Sequence, residues 1–322
     1  MTRVPARDLV TWSPSVTLVP TRGCFNDCSY CSFRLPLDQA SPLSLLQAAE
    51  QLSARPAVTE VLLLSGEVAP GSAQRSEWFA RLLALSALAL DQGRLPHTNA
   101  GPLSLREMAA LGRLNPSMGL MFEGVGPAYD ALHRRAPSKS LELRLTQLQQ
   151  AGRLGIPFTT GLLLGVGETM AQREQALLLL ADQQRRWGHL QEVILQPWRP
   201  NEEAARPLSE TEQSDLLDTI AMARHLLPAE VNLQMPPNLW PLQQLPLALD
   251  AGISDLGGID CSDVINPAYP QPAPEVLKQL LAQHGWRLEP RTCVHQGWWS
   301  FLPRALRRRV EQLARLLASA PA

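Results

Sequence analysis

Cys24, Cys28 and Cys31 fall close together at the spacing C-x3-C-x2-C, in the run Thr21-Arg22-Gly23-Cys24-Phe25-Asn26-Asp27-Cys28-Ser29-Tyr30-Cys31. A tight loop with this spacing directs three sulfurs at three corners of an iron–sulfur cubane. Such 4Fe–4S clusters normally take four thiolates, so three leave one iron open, where substrate chemistry takes place. The alternatives are a zinc site and three unrelated thiols. A structural zinc usually has four ligands, often in two separated pairs. The fourth would have to be Cys261, Cys293 or a distant histidine. The spacing, and the position directly after a predicted strand, favour the cluster. Cys261 and Cys293 then read as inert thiols.

Two glycine-bearing segments add to this. Leu64-Ser65-Gly66-Glu67 closes the second predicted strand, and Gly161-Leu162-Leu163-Leu164-Gly165-Val166-Gly167-Glu168 closes the fifth. Glycine lets backbone approach a ligand closely, although a strand-ending turn explains it equally well. With the cysteine triad and Tyr30, these segments resemble the radical S-adenosylmethionine (SAM) superfamily. That resemblance implies that the open iron holds the amino and carboxylate groups of SAM, whose cleavage releases a 5′-deoxyadenosyl radical. It assigns Gly66 and Glu67 to the SAM amino group, Gly165 and Gly167 to adenosine, and Tyr30 to the adenine.

A closer resemblance runs from about residue 11 to about 290. The segments Leu95-Pro96-His97-Thr98-Asn99-Ala100-Gly101, Ser117 to Glu123, Pro157 to Gly161, Gln191 to Gln196, Pro236-Pro237-Asn238-Leu239 and Asp255-Leu256-Gly257-Gly258 are similar to subunit 1 of 7,8-didemethyl-8-hydroxy-5-deazariboflavin (Fo) synthase. The resemblance implies a lyase reaction. An adduct of tyrosine's hydroxybenzyl group with a ribityl-diaminouracil, made by a companion radical SAM enzyme, is cyclised to Fo with loss of ammonia. An unidentified electron donor is implied as well. The rival within this group is the companion enzyme itself, and the rival outside it is a non-enzymatic metal-binding protein. The cysteine loop departs from the family pattern in Phe25-Asn26-Asp27, where a more basic insert is usual, and Val68-Ala69-Pro70-Gly71 is also atypical.

Proton transfers during ring closure make His97 and Glu123 the candidate catalytic residues. A uracil and a ribityl chain need hydrogen-bonding partners, and Thr98, Asn99, Thr160, Gln196, Asn238 and Asp255 are the candidates. The bland readings are a rim histidine for His97, pairing with Arg134 or Arg135 for Glu123, and plain strand positions for Thr159 and Thr160; the superfamily resemblance also leaves Glu123 open between SAM and substrate.

The elements that must position these residues alternate. Apolar or β-branched runs at 15–21, 60–65, 95–99, 118–122, 158–165, 192–198, 230–235 and 255–259 read as strands. Amphipathic runs near 44–54, 75–90, 104–114, 140–155, 169–187, 209–227, 242–251 and 274–284 read as helices. Capping boxes open three of them, at Ser104/Glu107, Thr169/Gln172 and Ser209/Glu212, and Gly93, Gly155, Gly188 and Gly285 mark helix ends. Eight β-then-α units imply an α/β, TIM-type (β/α)8 barrel, with a partial (β/α)6 barrel or an open doubly wound sheet as alternatives. Residues 1–322 then form one core domain with a lead-in at 1–14 and a helical extension from about 287, whose Arg307–Arg309 face solvent. In such a barrel the strand ends carrying the motifs gather at one mouth.

Bulk properties narrow the partners. A net charge of −1 and a pI near 6.6 argue against a nucleic-acid surface. The longest apolar runs, 82–90 and 176–181, are far too short to span a bilayer, and the first twelve residues lack an apolar signal core. The expectation is a cytoplasmic protein.

Overall fold

The computed structural model describes residues 9–319. Strands β1 (Leu9–Leu18), β2 (Glu60–Leu64), β3 (Leu95–Asn99), β4 (Ser117–Gly119), β5 (Phe158–Leu164), β6 (Leu190–Pro197), β7 (Asn232–Gln234) and β8 (Asp255–Ile259) pair in that order, all parallel. The β1–β2 pairing closes the ring, so the fold is the eight-stranded TIM-type barrel and not the six-unit arc. Parallel strands covered by helices are buried on both faces and read as continuous apolar runs. Strand β5, FTTGLLL, is buried at every position.

Among the described residues ten helices clothe the barrel: α1 (Leu45–Ser53), α2 (Arg75–Asp91), α3 (Leu105–Leu111), α4 (Pro127–Leu132), α5 (Leu141–Leu154), α6 (Met170–Trp187), α7 (Glu210–Leu226), α8 (Leu245–Ala251), α9 (Pro274–Gln283) and α10 (Arg304–Ser319). All three expected capping boxes form, and Ser44 with Gln47 makes a fourth on α1. Gly155 and Gly188 end α5 and α6 in the left-handed conformation, at φ +62° and +68°. The main core lies between the sheet and helices α2, α3 and α5 to α9, and includes Leu82, Phe158, Leu177, Leu233 and Leu277.

The two ends of the chain differ from the expected pattern. Residues 1–8 of the expected lead-in lie outside the described residues, and β1 begins at Leu9 instead of residue 15. A ninth strand, β9 (Arg287–Pro290), pairs with Leu9–Trp12 of β1. The Trp12 carbonyl accepts from Arg291 at 2.7 Å, and the Pro14 carbonyl accepts from Thr59 at 2.9 Å. Residues two apart share an edge, so β9 and β2 divide one side of β1 between them. Pro14 sits in the gap between the two pairings, where a missing N–H is tolerated.

Beyond β9 the chain plugs the N-terminal floor of the barrel. Cys293, Val294, Trp298, Leu302, Leu306 and Val310 pack with Leu90 and Leu95 as a separate apolar cluster. Of the arginines expected in solvent, Arg309 instead donates to the Leu90 carbonyl at 2.7 Å, capping the last turn of α2. Among the described residues no helix is long and apolar enough to cross a membrane.

Candidate active site

The loop after β1 carries the three thiols and is tied to its neighbours mainly through backbone. Gly66 N–H donates to the Thr21 carbonyl at 2.7 Å and Phe25 N–H to the Glu67 carbonyl at 3.0 Å. A Cβ at Gly66 would stand 2.3 Å from the Gly23 carbonyl oxygen, so only glycine lets the end of β2 lie this close to the cysteine loop. The atypical residues of the loop have structural work. Asn26 donates to Glu67 at 2.9 Å and to Ser138 at 2.8 Å. Asp27 pairs with Arg34, and with Arg135 at 2.6 Å. Glu67 also accepts from Ser138, and from Arg144 at 3.3 Å. Its carboxylate therefore joins the cysteine loop, the β2 end and α5.

Cys24, Cys28 and Cys31 line one cavity of about 170 Å³ together with Tyr30, Gly66, Glu67, Glu123 and Lys139. Among the described residues the three sulfurs are not all within 4.8 Å of one another. Thiolates around one tetrahedral zinc, with Zn–S bonds of about 2.3 Å, would stand roughly 3.8 Å apart. Cys261 is exposed beside Arg55, and Cys293 is buried at the floor, so neither is a fourth ligand. The donor set fits a larger cluster with one corner open. Burial pushes the Cys28 thiol up to about 12, so the thiolate form depends on the bound metal.

Glu123 has φ +75°, the one left-handed non-glycine among the described residues. That conformation turns its side chain toward Lys139, with which it forms a buried ion pair. The partner is Lys139 and neither Arg134 nor Arg135. Lys139 also donates to the Tyr30 hydroxyl at 2.9 Å. Burial alone would raise Glu123, but the charges of Lys139 and Arg144 outweigh it and hold the carboxyl below the usual range. Lys139 is held up: desolvation works against its charge, and Glu123 and Tyr30 more than offset it. Tyr30 is raised by burial and by Glu123, and stays a phenol.

A second cavity, about 190 Å³, occupies the lumen and shares Leu64, Asn99, Leu120, Met121, Gln196 and Ile265 with the first. His97 lines it. Its Nδ1 is 2.7 Å from Ser117 Oγ, which donates its own proton to the Cys293 carbonyl at 2.9 Å. The hydroxyl can then only accept from His97, so the ring is the Nδ1–H tautomer and Nε2 holds the lone pair. Burial, helped by Arg291, lowers His97 to about 3 and keeps it neutral. Gly119 leaves the ring its space, since a Cβ there would meet Nε2 at 2.8 Å.

Strand parity separates the remaining candidates. Asn99 and Gln196 face the lumen at the junction of the cavities. Thr98 points outward and donates to Asn115 at 2.8 Å, and Thr160 donates to the Leu120 carbonyl at 2.8 Å. Neither lines either of these two cavities, whereas Thr159 lines the lumen. Asn238 is a loop tether, donating at 2.8 Å to both Asp263 and the Tyr269 carbonyl. Asp255 opens β8 at the floor, where Arg291 grips it at 2.5 and 2.6 Å. Gly165 and Gly167 have φ +88° and +104° at the end of β5, where the Glu168 carboxylate accepts from Gly165 and Val166, each at 2.8 Å. They shape that turn and line neither cavity. Lys139, Arg144, Glu60, Glu192 and Arg291 escaped the sequence reading. The parity of β2 and β6, counted back from Leu64 and Gln196, would have found the two glutamates.

A family model for the radical SAM superfamily matches residues 18–180. A 7,8-didemethyl-8-hydroxy-5-deazariboflavin synthase of Thermosynechococcus vestitus is 49% identical over 308 residues, covering 94% of this chain and 98% of that protein. The enzyme of the same name from Gloeobacter violaceus is 50% identical over 295 residues, covering 89% and 90%. Among solved structures, the FeFe-hydrogenase maturase HydG from Carboxydothermus hydrogenoformans aligns with a TM-score of 0.72 at 17% identity, over 98% of this chain and 79% of that one. Methylornithine synthase (PylB) aligns at 0.66 and 15%, over 92% and 87%. At those identities the two structures speak for the fold alone. Near-half identity along almost the whole chain, on a barrel whose first loop turns three thiols into a cavity, makes this protein a radical SAM enzyme of the 7,8-didemethyl-8-hydroxy-5-deazariboflavin synthase family.

Proposed function

We propose that this chain is the ring-closing lyase of deazaflavin biosynthesis. Its substrates would be 5-amino-5-(4-hydroxybenzyl)-6-(D-ribitylimino)-5,6-dihydrouracil and SAM, consumed as the oxidant, and its products Fo, ammonia, methionine and 5′-deoxyadenosine. The observation that carries the reading is the junction of the two cavities: the chamber lined by Cys24, Cys28 and Cys31 shares Asn99, Gln196 and four apolar residues with a lumen whose apolar wall carries a few polar groups. Cys24, Cys28 and Cys31 would hold a 4Fe–4S cluster which, with SAM, would supply radical hydrogen-atom abstraction from the substrate.

The chain's own residues do the rest. Asn99 and Gln196, at the junction, orient the substrate between radical and floor. His97 offers Nε2 to a substrate N–H or to a proton released in ring closure, and Thr159 and Gln234 add polar contacts along the wall. Glu123 holds Lys139, and Lys139 fixes the Tyr30 hydroxyl beside the third cysteine, so this trio shapes the SAM pocket. The apolar wall of Leu62, Leu64, Leu120 and Met121 keeps water from the radical. One C-x3-C-x2-C triad serves one cluster, so a companion enzyme makes the adduct, and a separate donor supplies the electron.

The test is an anaerobic assay of the iron-reconstituted protein with SAM, reductant and adduct. Fluorescent deazaflavin should appear with 5′-deoxyadenosine, and Cys28→Ala should abolish both. Given tyrosine and the diaminouracil instead, the protein should make no Fo. Deoxyadenosine without deazaflavin would return the substrate to unknown, and product from tyrosine would favour the companion activity.

A further inference from the structure

The lumen floor holds more carboxylates than the chain pairs. Glu60, Glu192 and Asp255 are buried there, brought by β2, β6 and β8. Arg291 takes Asp255 with two nitrogens and Glu192 at 3.0 Å. His295 Nε2 stands 3.1 Å from Glu192. Asp255 is further satisfied by the Thr11 hydroxyl and by Gly257 N–H at 2.6 Å. Glu60 is the one left over. Among the described residues its carboxylate belongs to no ion pair within 4.0 Å, and Arg291 acts on it only from further off.

Glu60 nevertheless lines the cavity. The inward side chains of β2 are Glu60, Leu62 and Leu64, and Leu62 stands opposite His97 in the β2–β3 register. Glu60 thus lies one inward position deeper than the level of His97. Burial, with Glu192 and Asp255 adding and Arg291 and Ser13 opposing, raises its carboxyl to about 7. Near neutral pH it carries a proton that it can give.

We propose that Glu60 is the proton donor to the amine that leaves as the deazaflavin ring forms, which rests on the ring-closing reading above. The step is a redox-neutral elimination. The C–N bond breaks with its electron pair on nitrogen, and Glu60 protonates that nitrogen so that ammonia departs. The C–H bond on the neighbouring carbon supplies the electron pair of the new C=C bond. Its proton returns to the Glu60 carboxylate.

The charged and titratable groups acting on Glu60 are Arg291, Glu192, Asp255 and Cys293; His97 lines the same cavity, and His295 stands against Glu192. Burial lowers His97 and raises Cys293, whereas burial opposes the shifts of Asp255, held down by Arg291, and of Arg291, held up by Asp255 and Glu192. The experiment measures Fo and 5′-deoxyadenosine together, from adduct, between pH 6 and 8.5, in wild-type and Glu60→Gln holoenzymes. In wild type the ratio of Fo to deoxyadenosine should fall as pH rises through about 7. Glu60→Gln should still make deoxyadenosine, yield on the order of tenfold less Fo at pH 6.5, lack the pH limb, and accumulate an amine-retaining product. A glutamine variant with the wild-type ratio at every pH overturns the proposal and leaves the ring-closing reading standing. A flat wild-type ratio overturns it even if the variant does not fold. Absence of Fo from wild type with adduct takes the ring-closing reading down, and this proposal with it.

Discussion

Lys139 carries no motif, yet it organises the cysteine side of the site, binding Glu123 and the Tyr30 hydroxyl at once. Removing one partner of a buried pair leaves an uncompensated charge, which costs about 3–5 kcal/mol. Lys139→Met should therefore destabilise the fold by about that much, as read from the midpoint of denaturant unfolding at pH 7. The pH dependence has a definite sign. Glu123 is depressed below its ordinary value of 4.5 in the folded chain. Its stabilising contribution is present above 4.5 and is lost as pH falls through the folded value. Lys139→Met should lose that acid limb, so the gap between variant and wild type narrows below pH 4.5. The cysteines were legible because their spacing is local. Lys139, Arg144 and Arg291 were not, because ordinary cations acquire a role only when distant segments meet.

Elements were more legible than the faces of elements. Strand positions and helix caps follow from apolar runs and from Ser/Thr-x-x-Glu/Gln signatures, and most appear where the sequence placed them. The errors came at strand ends and in parity. Ser13, Pro14 and Ser15 masked the first half of β1, and the short RLEP run of β9 gave no pattern to read. Thr98 and Thr160 were paired with the lumen although each is one residue out of phase with an inward neighbour, because a run buried on both faces shows no alternation. At this scale the informative variant is Gly66→Ala. Its Cβ would meet backbone at 2.3 Å, which cannot swing aside, so β2 and the cysteine loop must part. The expected outcome is loss of most bound iron, and of the cluster's visible absorbance after reconstitution, with a far-ultraviolet circular dichroism spectrum close to wild type. Iron content equal to wild type would show that the loop is held by other contacts.

At the scale of the whole molecule, the barrel needs its C-terminal segment. Leu306 is buried under the floor with Trp298 and Val310. Leu306→Ala should cost about 2–5 kcal/mol by loss of burial and the cavity left behind. The same segment delivers Arg291, so the variant should also weaken adduct binding in a fluorescence titration while leaving iron content unchanged. Equal affinity would separate the plug from the lumen. Strand β9 further fixes when the cavity becomes whole. The ribosome releases Cys24, Cys28 and Cys31 some 260 residues before Arg291. Until β9 docks on β1, Asp255 and Glu192 face each other without their cation. A growing chain thus owns its cysteine loop well before the floor of its lumen is complete.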